Sequence, residues 1–204
     1  MYLAAVVDDS ARRQGRPVVT THAAIEQAAF RLFAERGFEG TTLDAIADEV
    51  GVGRRTLFRY YRSKNDIPWG RFDLTLARFR HLLADAPADE PLWRGVHRAV
   101  RAFNEFPPAA DPTHVDRMRL ILRTPALQAH SVLRYAEWRQ VIAEHVAART
   151  GTRPGDLLPQ TVGQVSLALA LAAYDVWLDD PARSLPDLVD AAMLTLRAHL
   201  DPTA

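Results

Sequence analysis

The sequence contains no cysteine, which rules out disulfide bonds, thiolate metal sites and cysteine nucleophiles within the chain. It also has no net charge, since 25 basic side chains balance 25 acidic ones, whereas a protein that binds polyanions by charge alone would have a basic excess. No stretch approaches the ~18 uninterrupted apolar residues of a membrane span. The first ten residues, MYLAAVVDDS, lack the basic start of a signal peptide. We therefore expect a cytoplasmic protein without a membrane partner.

The sequence motifs of the common enzyme classes are also missing. The seven histidines include no HExxH motif and no His-x-x-x-His pair, and neither G-x-S-x-G nor a phosphate-binding glycine loop occurs. We expect no catalytic residue, no metal site and no cofactor. An all-helical enzyme remains an alternative.

The most informative segment is residues 51–64, GVGRRTLFRYYRSK, which carries five cationic side chains and no acidic one. It follows TTLDAIADEV (41–50), in which Thr41 and Asp44 have the spacing of a capping box at a helix start. Gly51 stands where that helix must stop and the chain reverse, a position that often requires a positive φ. Together the two segments predict a helix-turn-helix, and a solvated basic face on an ordinary helical hairpin is the alternative.

The second helix of this motif presents Arg54, Arg55, Thr56 and Arg59 on its outer surface. Such a helix enters the DNA major groove, where arginine can pair with guanine and threonine can touch a thymine methyl group. Residues 11–65 hold ten basic and six acidic side chains, so the neutral chain is locally positive here. We expect binding that needs shape and base contacts as well as charge. A non-specific or architectural DNA-binding protein is the alternative.

Residues 21–67 resemble the DNA-binding domain of the TetR family of one-component bacterial repressors, in LFAERGFEGTT, DAIADEVGV and TLFRYYRSKNDI. The string FRYYRSKNDIPWGRF is further similar to the regulators associated with mycofactocin biosynthesis clusters in actinobacteria. The resemblance implies a ligand-responsive repressor of transcription, with phosphate contacts from Thr41 or Thr42. It also implies groove contacts from Arg54, Arg55 and Thr56, and backbone contacts from Arg59, Tyr60 and Lys64.

A basic segment, SARRQGRPVV (10–19), precedes the first helix and includes Arg16 and Pro17. Pro17 restricts the residue before it to extended geometry. The segment is either an arm that reaches into the minor groove through Arg16 or a disordered tail. We predict three parts: a flexible basic arm (1–19), a helix-turn-helix domain (20–66), and a ligand-binding and dimerisation domain (67–204).

Past residue 64 the pattern is helical throughout, with no strand alternation. The predicted fold is all-α with about nine helices, three of them in the DNA-binding module. Residues 161–178 are apolar around nearly the whole helix, and residues 185–200 carry an apolar stripe. Either both helices are buried in a monomeric bundle, or they pair with their copies in a homodimer, which would recognise an inverted repeat.

The apolar stripes of the central helices are interrupted by polar or amphipathic residues: His97, Asn104, Trp138, His145 and Tyr174. Such groups, converging in an apolar cavity, are typical of a small-molecule site, although each could instead be a satisfied core or surface group. Arg123, with Arg117 and Arg119, would bind an anionic head group or form a solvated face.

The resemblance makes a long-chain acyl thioester such as acyl-CoA the first candidate effector, while a flat aromatic metabolite also fits. An effector of either kind would favour a conformer with badly spaced recognition helices and so lower the affinity for DNA. The helix predicted to start near Pro68 connects the two domains and is the expected lever.

Overall fold

The computed structural model describes residues 20–107 and 109–200. Within these ranges the chain forms nine α-helices and no strand, which confirms the all-α prediction. The helices are α1 (His22–Gly40), α2 (Leu43–Val50), α3 (Arg54–Tyr60), α4 (Phe72–Ala84), α5 (Leu92–Phe103), α6 (His114–Arg123), α7 (Pro125–Thr150), α8 (Leu157–Asp179) and α9 (Leu185–Leu200). A 3-10 helix (Lys64–Trp69) lies between α3 and α4. The predicted arm and Arg16 lie outside the described residues.

The buried apolar side chains form two clusters. The first, called here the N-terminal core, joins α1, α2, α3 and the 3-10 helix through Ile25, Ile46, Leu57 and Ile67, all fully buried. Leu127 of α7 is buried in the same cluster. The N-terminal helices therefore pack on the start of α7, which belongs mainly to the rest of the chain.

The second cluster, called here the C-terminal core, is formed by α4 to α9 and includes the fully buried Phe79, Val100 and Ile142. α7 and α8 approach closely at Gly163, where a Cβ atom would lie 3.0 Å from the Arg139 carbonyl oxygen. By length and composition, α8 is the one helix in the described ranges that could cross a membrane. In this fold it packs against α7 and α9.

The start of α2 differs from the predicted capping box. Thr42, and not Thr41, is the N-cap, because its hydroxyl oxygen accepts a hydrogen bond from the Ala45 N–H at 3.1 Å. Gly51 ends α2 in the left-handed conformation, with φ of 73°, as predicted for this position. The turn after α2 can therefore be predicted from Gly51 alone. The N-cap of α2 cannot, because it depends on the burial of Thr41.

The connection between the two cores is also built differently from the prediction. Pro68 lies in the 3-10 helix, so the helix expected to start near it begins four residues later. Gly70, with φ of 56°, then turns the chain, a conformation that glycine adopts without steric cost. α4 begins at Phe72. The connection is thus a short turn and not a continuous lever.

Candidate functional site

α3 presents cationic side chains on the face opposite its buried residue, Leu57. Arg54, Arg55 and Arg59 are exposed, and Thr56 is half-buried beside them. Arg54 Nη1 lies 3.2 Å from a carboxylate oxygen at the start of α2. Within the described ranges, neither Arg55 nor Arg59 takes part in an ion pair. α3 therefore offers uncompensated positive charge to a polyanion.

Of the two threonines at the start of α2, only Thr42 reaches the surface. Thr41 is 1% exposed, and its hydroxyl donates to the carbonyl oxygens of Leu32 and Gly37 at 3.1 and 2.9 Å. A hydroxyl group buried in this way cannot contact a phosphate, so the prediction of Thr41 as a phosphate contact is wrong. Thr42 stands at a helix N-terminus, where an anion is favoured.

Tyr60 and Lys64 join elements of the N-terminal core. The sequence predicts a contact of Tyr60 with the DNA backbone. Its hydroxyl instead donates to the Thr20 carbonyl oxygen at 2.6 Å, so this proton is not available to a phosphate. Lys64 Nζ donates to the carbonyl oxygens of Phe38 and Thr41 at 2.6 and 2.9 Å. An ammonium group has three donors, so one N–H of Lys64 remains for an external anion.

A cavity of about 360 Å³ lies within the C-terminal core. Its wall is mainly apolar and aromatic, and three of the predicted ligand residues, Asn104, Trp138 and Tyr174, line it. Glu26 of α1 and Pro68 of the 3-10 helix line it as well. The cavity is therefore bounded by residues of both halves of the molecule, and its size and lining suit a small apolar molecule.

A chain of hydrogen bonds runs along one side of the cavity. Asn104 Nδ2 donates to the Val100 carbonyl oxygen, and the Tyr174 hydroxyl donates to Asn104 Oδ1, both at 2.8 Å. His114 Nε2 lies 2.8 Å from the Tyr174 oxygen and supplies the proton of this contact, because the tyrosine proton points to Asn104. Burial, followed by the charge of Arg117, lowers the pKa of His114 to about 3, so the imidazole is neutral. Burial also raises the pKa of Tyr174.

His97 and His145 do not line the cavity, so their prediction as ligand residues is wrong. His97 Nε2 lies 2.6 Å from a carboxylate oxygen of Asp190, where α5 meets α9. His145 lies near Arg149 and Arg98, and burial followed by these two charges lowers its pKa. Within the described ranges, no group of His, Asp and Glu side chains is arranged to hold a metal ion.

Arg123 also lies away from the cavity, which corrects its prediction as a head-group ligand. Its Nη2 atom is 3.7 Å from Asp179 and 4.0 Å from Asp175, two exposed carboxylates of α8. Two other arginines, Arg71 and Arg117, line the cavity. The face of α6 that carries Arg123 is thus an outer face, held to α8 by charge.

A cluster called here the Glu26–Arg117 junction, formed by Glu26, Tyr61, Pro68 and Arg117, connects the two cores. Arg117 Nη2 donates to Glu26 Oε2 at 2.5 Å, and its Nη1 donates to the Pro68 carbonyl oxygen at 2.6 Å. Tyr61, directly after α3, donates to Glu26 Oε1 at 2.7 Å. Sequence reasoning missed Glu26, because no spacing signal joins residues 91 positions apart.

Two family models match separate parts of the chain. Residues 25–67 match the model of bacterial regulatory proteins of the tetR family, and residues 90–201 match the MftR C-terminal domain. The second match alone covers more than half of the 204 residues.

The chain is 45% identical over 189 residues to the protein named as the mycofactocin biosynthesis transcriptional regulator MftR of Mycobacterium tuberculosis, covering 93% of this chain and 96% of that one. It is 29% identical over 182 residues to the HTH-type transcriptional regulator TcmR of Streptomyces glaucescens, covering 84% and 80%.

Two solved structures share the fold. One is the fatty acid degradation regulator FadR of Bacillus halodurans, with a TM-score of 0.62 at 17% identity, covering 89% of this chain and 96% of that one. The other is the transcriptional repressor FadR of Thermus thermophilus in complex with lauroyl-CoA, with a TM-score of 0.57 at 22% identity, covering 90% and 95%. By its sequence and its fold, the chain belongs to the tetR family of bacterial regulatory proteins, in the group that carries the MftR C-terminal domain.

Proposed function

We propose that this DNA-binding regulator is a cytoplasmic homodimeric repressor that a small, largely apolar effector releases from its operator. Its family consists of transcriptional regulators that bind DNA. One observation carries the ligand-responsive part: the cavity wall includes Glu26 of α1 and Pro68 of the 3-10 helix, two elements that pack with α3, as well as residues of the C-terminal core. A molecule in the cavity would therefore contact side chains that position the DNA-binding helices.

In the proposed complex, α3 lies in the major groove with its first turn towards the base edges. The guanidinium group of Arg55, which is exposed and has no ion-pair partner among the described residues, is suited to bidentate pairing with guanine. The remaining third N–H of Lys64 and the surface position of Thr42 suit phosphate oxygens. The residues proposed to contact DNA are Thr42, Arg54, Arg55, Thr56, Arg59 and Lys64.

Exposed apolar side chains on α8 and α9 support dimerisation through these helices. Val165 and Val176 of α8 are 37% and 45% exposed, and Leu194 of α9 is 47% exposed. A monomeric bundle, the alternative, leaves these side chains in water. Pairing with a second copy would bury them in a four-helix bundle about a two-fold axis. The two α3 helices would then lie about one DNA turn apart on an inverted repeat.

The cavity favours an effector with a long apolar body, and a long-chain acyl thioester such as acyl-CoA is our first candidate. A fold neighbour, FadR of Thermus thermophilus, was solved with lauroyl-CoA. Arg71 lines the cavity and is partly exposed, so it would meet an anionic head group in place of Arg119 and Arg123. A flat aromatic metabolite is the second candidate for the same space.

The Glu26–Arg117 junction is the proposed route from effector to DNA. Arg117 on α6 lines the cavity and donates to Glu26 on α1, which in turn accepts from Tyr61 at the end of α3. An effector that prefers a displaced α6 would pull on both α1 and α3 and change the spacing of the recognition helices. A coupling of about 1–3 kcal/mol would weaken operator affinity by about 5- to 150-fold.

Fluorescence anisotropy of labelled DNA tests the DNA-binding part of the proposal. At about 150 mM salt, DNA from the protein's own promoter region should bind more tightly than random DNA of the same length. A footprint should show two half-sites related by a two-fold axis. Equal affinity for both DNAs, followed by no enrichment in a genome-wide selection of bound fragments, would indicate a non-specific DNA-binding protein instead.

A further inference from the structure

Two hydrogen-bond donors on the cavity wall have no acceptor among residues 20–107 and 109–200: the indole Nε1 of Trp69 and the hydroxyl of Tyr135. Both polar atoms are shielded from solvent. The two rings meet edge to face, with centroids 5.7 Å apart and an interplanar angle of 79°. Buried tryptophan and tyrosine side chains normally find a hydrogen-bond partner, because a buried donor without one destabilises the fold.

The side chains around Trp69 and Tyr135 are largely aromatic and do not accept a hydrogen bond from either donor. Trp69 packs edge to face on Phe72, with centroids 5.1 Å apart. Ser131, one turn before Tyr135 on α7, gives its proton to the Leu127 carbonyl oxygen at 2.7 Å, and its own oxygen is close enough to influence the Tyr135 pKa but does not meet hydrogen-bond geometry with that hydroxyl. An indole N–H can only donate. The partner that fits both donors is an acceptor oxygen carried into the cavity.

Arg117, the largely buried arginine of the cavity wall, already has a carboxylate partner, whereas Arg71 lies at the surface, where it is left for a head group. Arg117 is paired with Glu26 at 2.5 Å, and Arg71 lies 3.4 Å from Asp73 near the surface. His114 is neutral, because burial lowers its pKa to about 3. A carboxylate carried between Trp69 and Tyr135 would therefore be buried without a counter-charge, which is far less favourable than burying a neutral oxygen.

We propose that Trp69 and Tyr135 both donate hydrogen bonds to one neutral carbonyl oxygen of the effector. This assignment rests on the effector site proposed for this cavity. A carbonyl oxygen has two lone pairs and can accept both hydrogen bonds. The effector is then an apolar ester, thioester, amide or ketone, and the free carboxylate is excluded. For a fatty acyl effector, the pair distinguishes the thioester from the fatty acid.

Calorimetry with a matched pair of ligands tests this assignment. Lauroyl-CoA and S-dodecyl-CoA share the chain length and the coenzyme, but the second, a thioether, lacks the carbonyl oxygen. The unsubstituted protein should bind lauroyl-CoA more tightly, by about 2- to 12-fold for each hydrogen bond, and should bind laurate more weakly than either. Tyr135→Phe removes the hydroxyl alone and should lower this preference by the same factor, mainly through weaker thioester binding. Trp69→Phe should act in the same direction.

Tyr174→Phe is the matched control, since its hydroxyl also lies on the cavity wall but donates to Asn104. It should change both affinities alike and leave their ratio unchanged. Circular dichroism of each variant checks that the fold is retained. A ratio that Tyr135→Phe and Trp69→Phe leave unaltered would overturn the assignment, because water or a neighbouring group would then satisfy these donors.

A second pair, 4-phenyl-2-butanone and butylbenzene, repeats the comparison without the coenzyme. If only this pair binds, the same loss of preference for the ketone in Tyr135→Phe supports the donor pair, and the acyl-CoA candidate is wrong. If none of the five molecules binds while the protein still binds its operator, both the effector site and the donor pair are wrong. The proposal that the protein binds its operator selectively would still stand after that result.

Discussion

Arg117 Nη2 and Glu26 Oε2 lie 2.5 Å apart, although 91 positions separate the two residues and they lie on helices α6 and α1. Their side chains are only 20% and 12% exposed, so water and salt screen this pair less than a surface ion pair. Arg117 also reaches the cavity. This pair therefore joins the wall of the proposed effector site to the helix that begins the DNA-binding domain.

Replacing Arg117 should uncouple the effector from DNA. Arg117→Ala removes the contacts with Glu26 and Pro68, so displacement of α6 would no longer pull on α1. We expect lauroyl-CoA to weaken operator affinity less than about 2-fold in this variant, against about 5- to 150-fold in the unsubstituted protein. Anisotropy titrations of operator DNA, with and without the ligand, measure both factors.

Arg119→Ala is the control for this variant, because Arg119 lies on the same helix but pairs only loosely with Asp116, at 3.9 Å on the surface. It should keep the full response to the ligand. Arg117→Ala should also be less stable by about 1–3 kcal/mol, since it leaves Glu26 largely buried without its cation. A normal ligand response in Arg117→Ala would show that the junction does not transmit the signal.

Arg55 should read a base. Its side chain is exposed on α3 and, within the described ranges, has no carboxylate partner. Arg55→Ala should weaken operator binding by about 1–3 kcal/mol and relax the preference at one base pair of each half-site. Binding to a set of operators with single base changes measures this. Arg153→Ala, which removes the same charge from the turn between α7 and α8, should leave operator affinity unchanged. Uniform weakening across all operators would identify a phosphate contact instead.

The helix-turn-helix was readable from the sequence because its signals are local. Gly51 must adopt the left-handed conformation, and the apolar spacing points Leu57 inward. The N-cap of α2 could not be identified from the sequence, because Thr41 and Thr42 are adjacent and chemically alike. Which threonine is buried depends on the carbonyl oxygens that α1 presents, and that is a tertiary property.

The cavity was predictable only in part. Asn104 and Tyr174 interrupt apolar stripes and line it, but His97 interrupts the same stripe as Asn104 and faces α9. Helical periodicity places a residue on a face without saying which neighbour that face meets. The contact of Arg117 with Glu26 carries no sequence signal, because it depends on how two separate cores pack.

The exposed apolar face of α8 and α9 should be the dimer interface. Val176→Glu places a charge in the proposed four-helix bundle and should give a monomer in sedimentation analysis. A monomer offers one recognition helix, so operator affinity should fall by about 10²-fold or more. Leu133→Glu is the control, since Leu133 of α7 is 66% exposed outside this face and should tolerate the charge. A dimer that survives Val176→Glu, or a monomeric unsubstituted protein, would contradict this interface.

Acid should destabilise the protein through His114. Its pKa is about 3 in the folded protein, because of burial and then Arg117, against 6.5 when unperturbed. The unfolded chain therefore binds a proton between these values that the folded chain does not, so stability falls as the pH drops below 6.5. From pH 7.5 to pH 5.0 this histidine should reduce the free energy of unfolding by about 2 kcal/mol.

Urea unfolding of the unsubstituted protein and of His114→Gln, measured across this pH range, isolates the contribution of this one histidine. The glutamine amide can still donate to Tyr174 but does not titrate. The difference in unfolding free energy between the two proteins should change by about 2 kcal/mol towards acid. A constant difference would mean that folding does not lower the pKa of His114.

Coupling between the cavity and the DNA-binding surface is measured by the operator affinity at saturating lauroyl-CoA. We predict that the dissociation constant of the promoter operator rises by about 5- to 150-fold at constant salt, whereas laurate has little effect. An unchanged dissociation constant, with calorimetry showing lauroyl-CoA bound to the same protein, would contradict it.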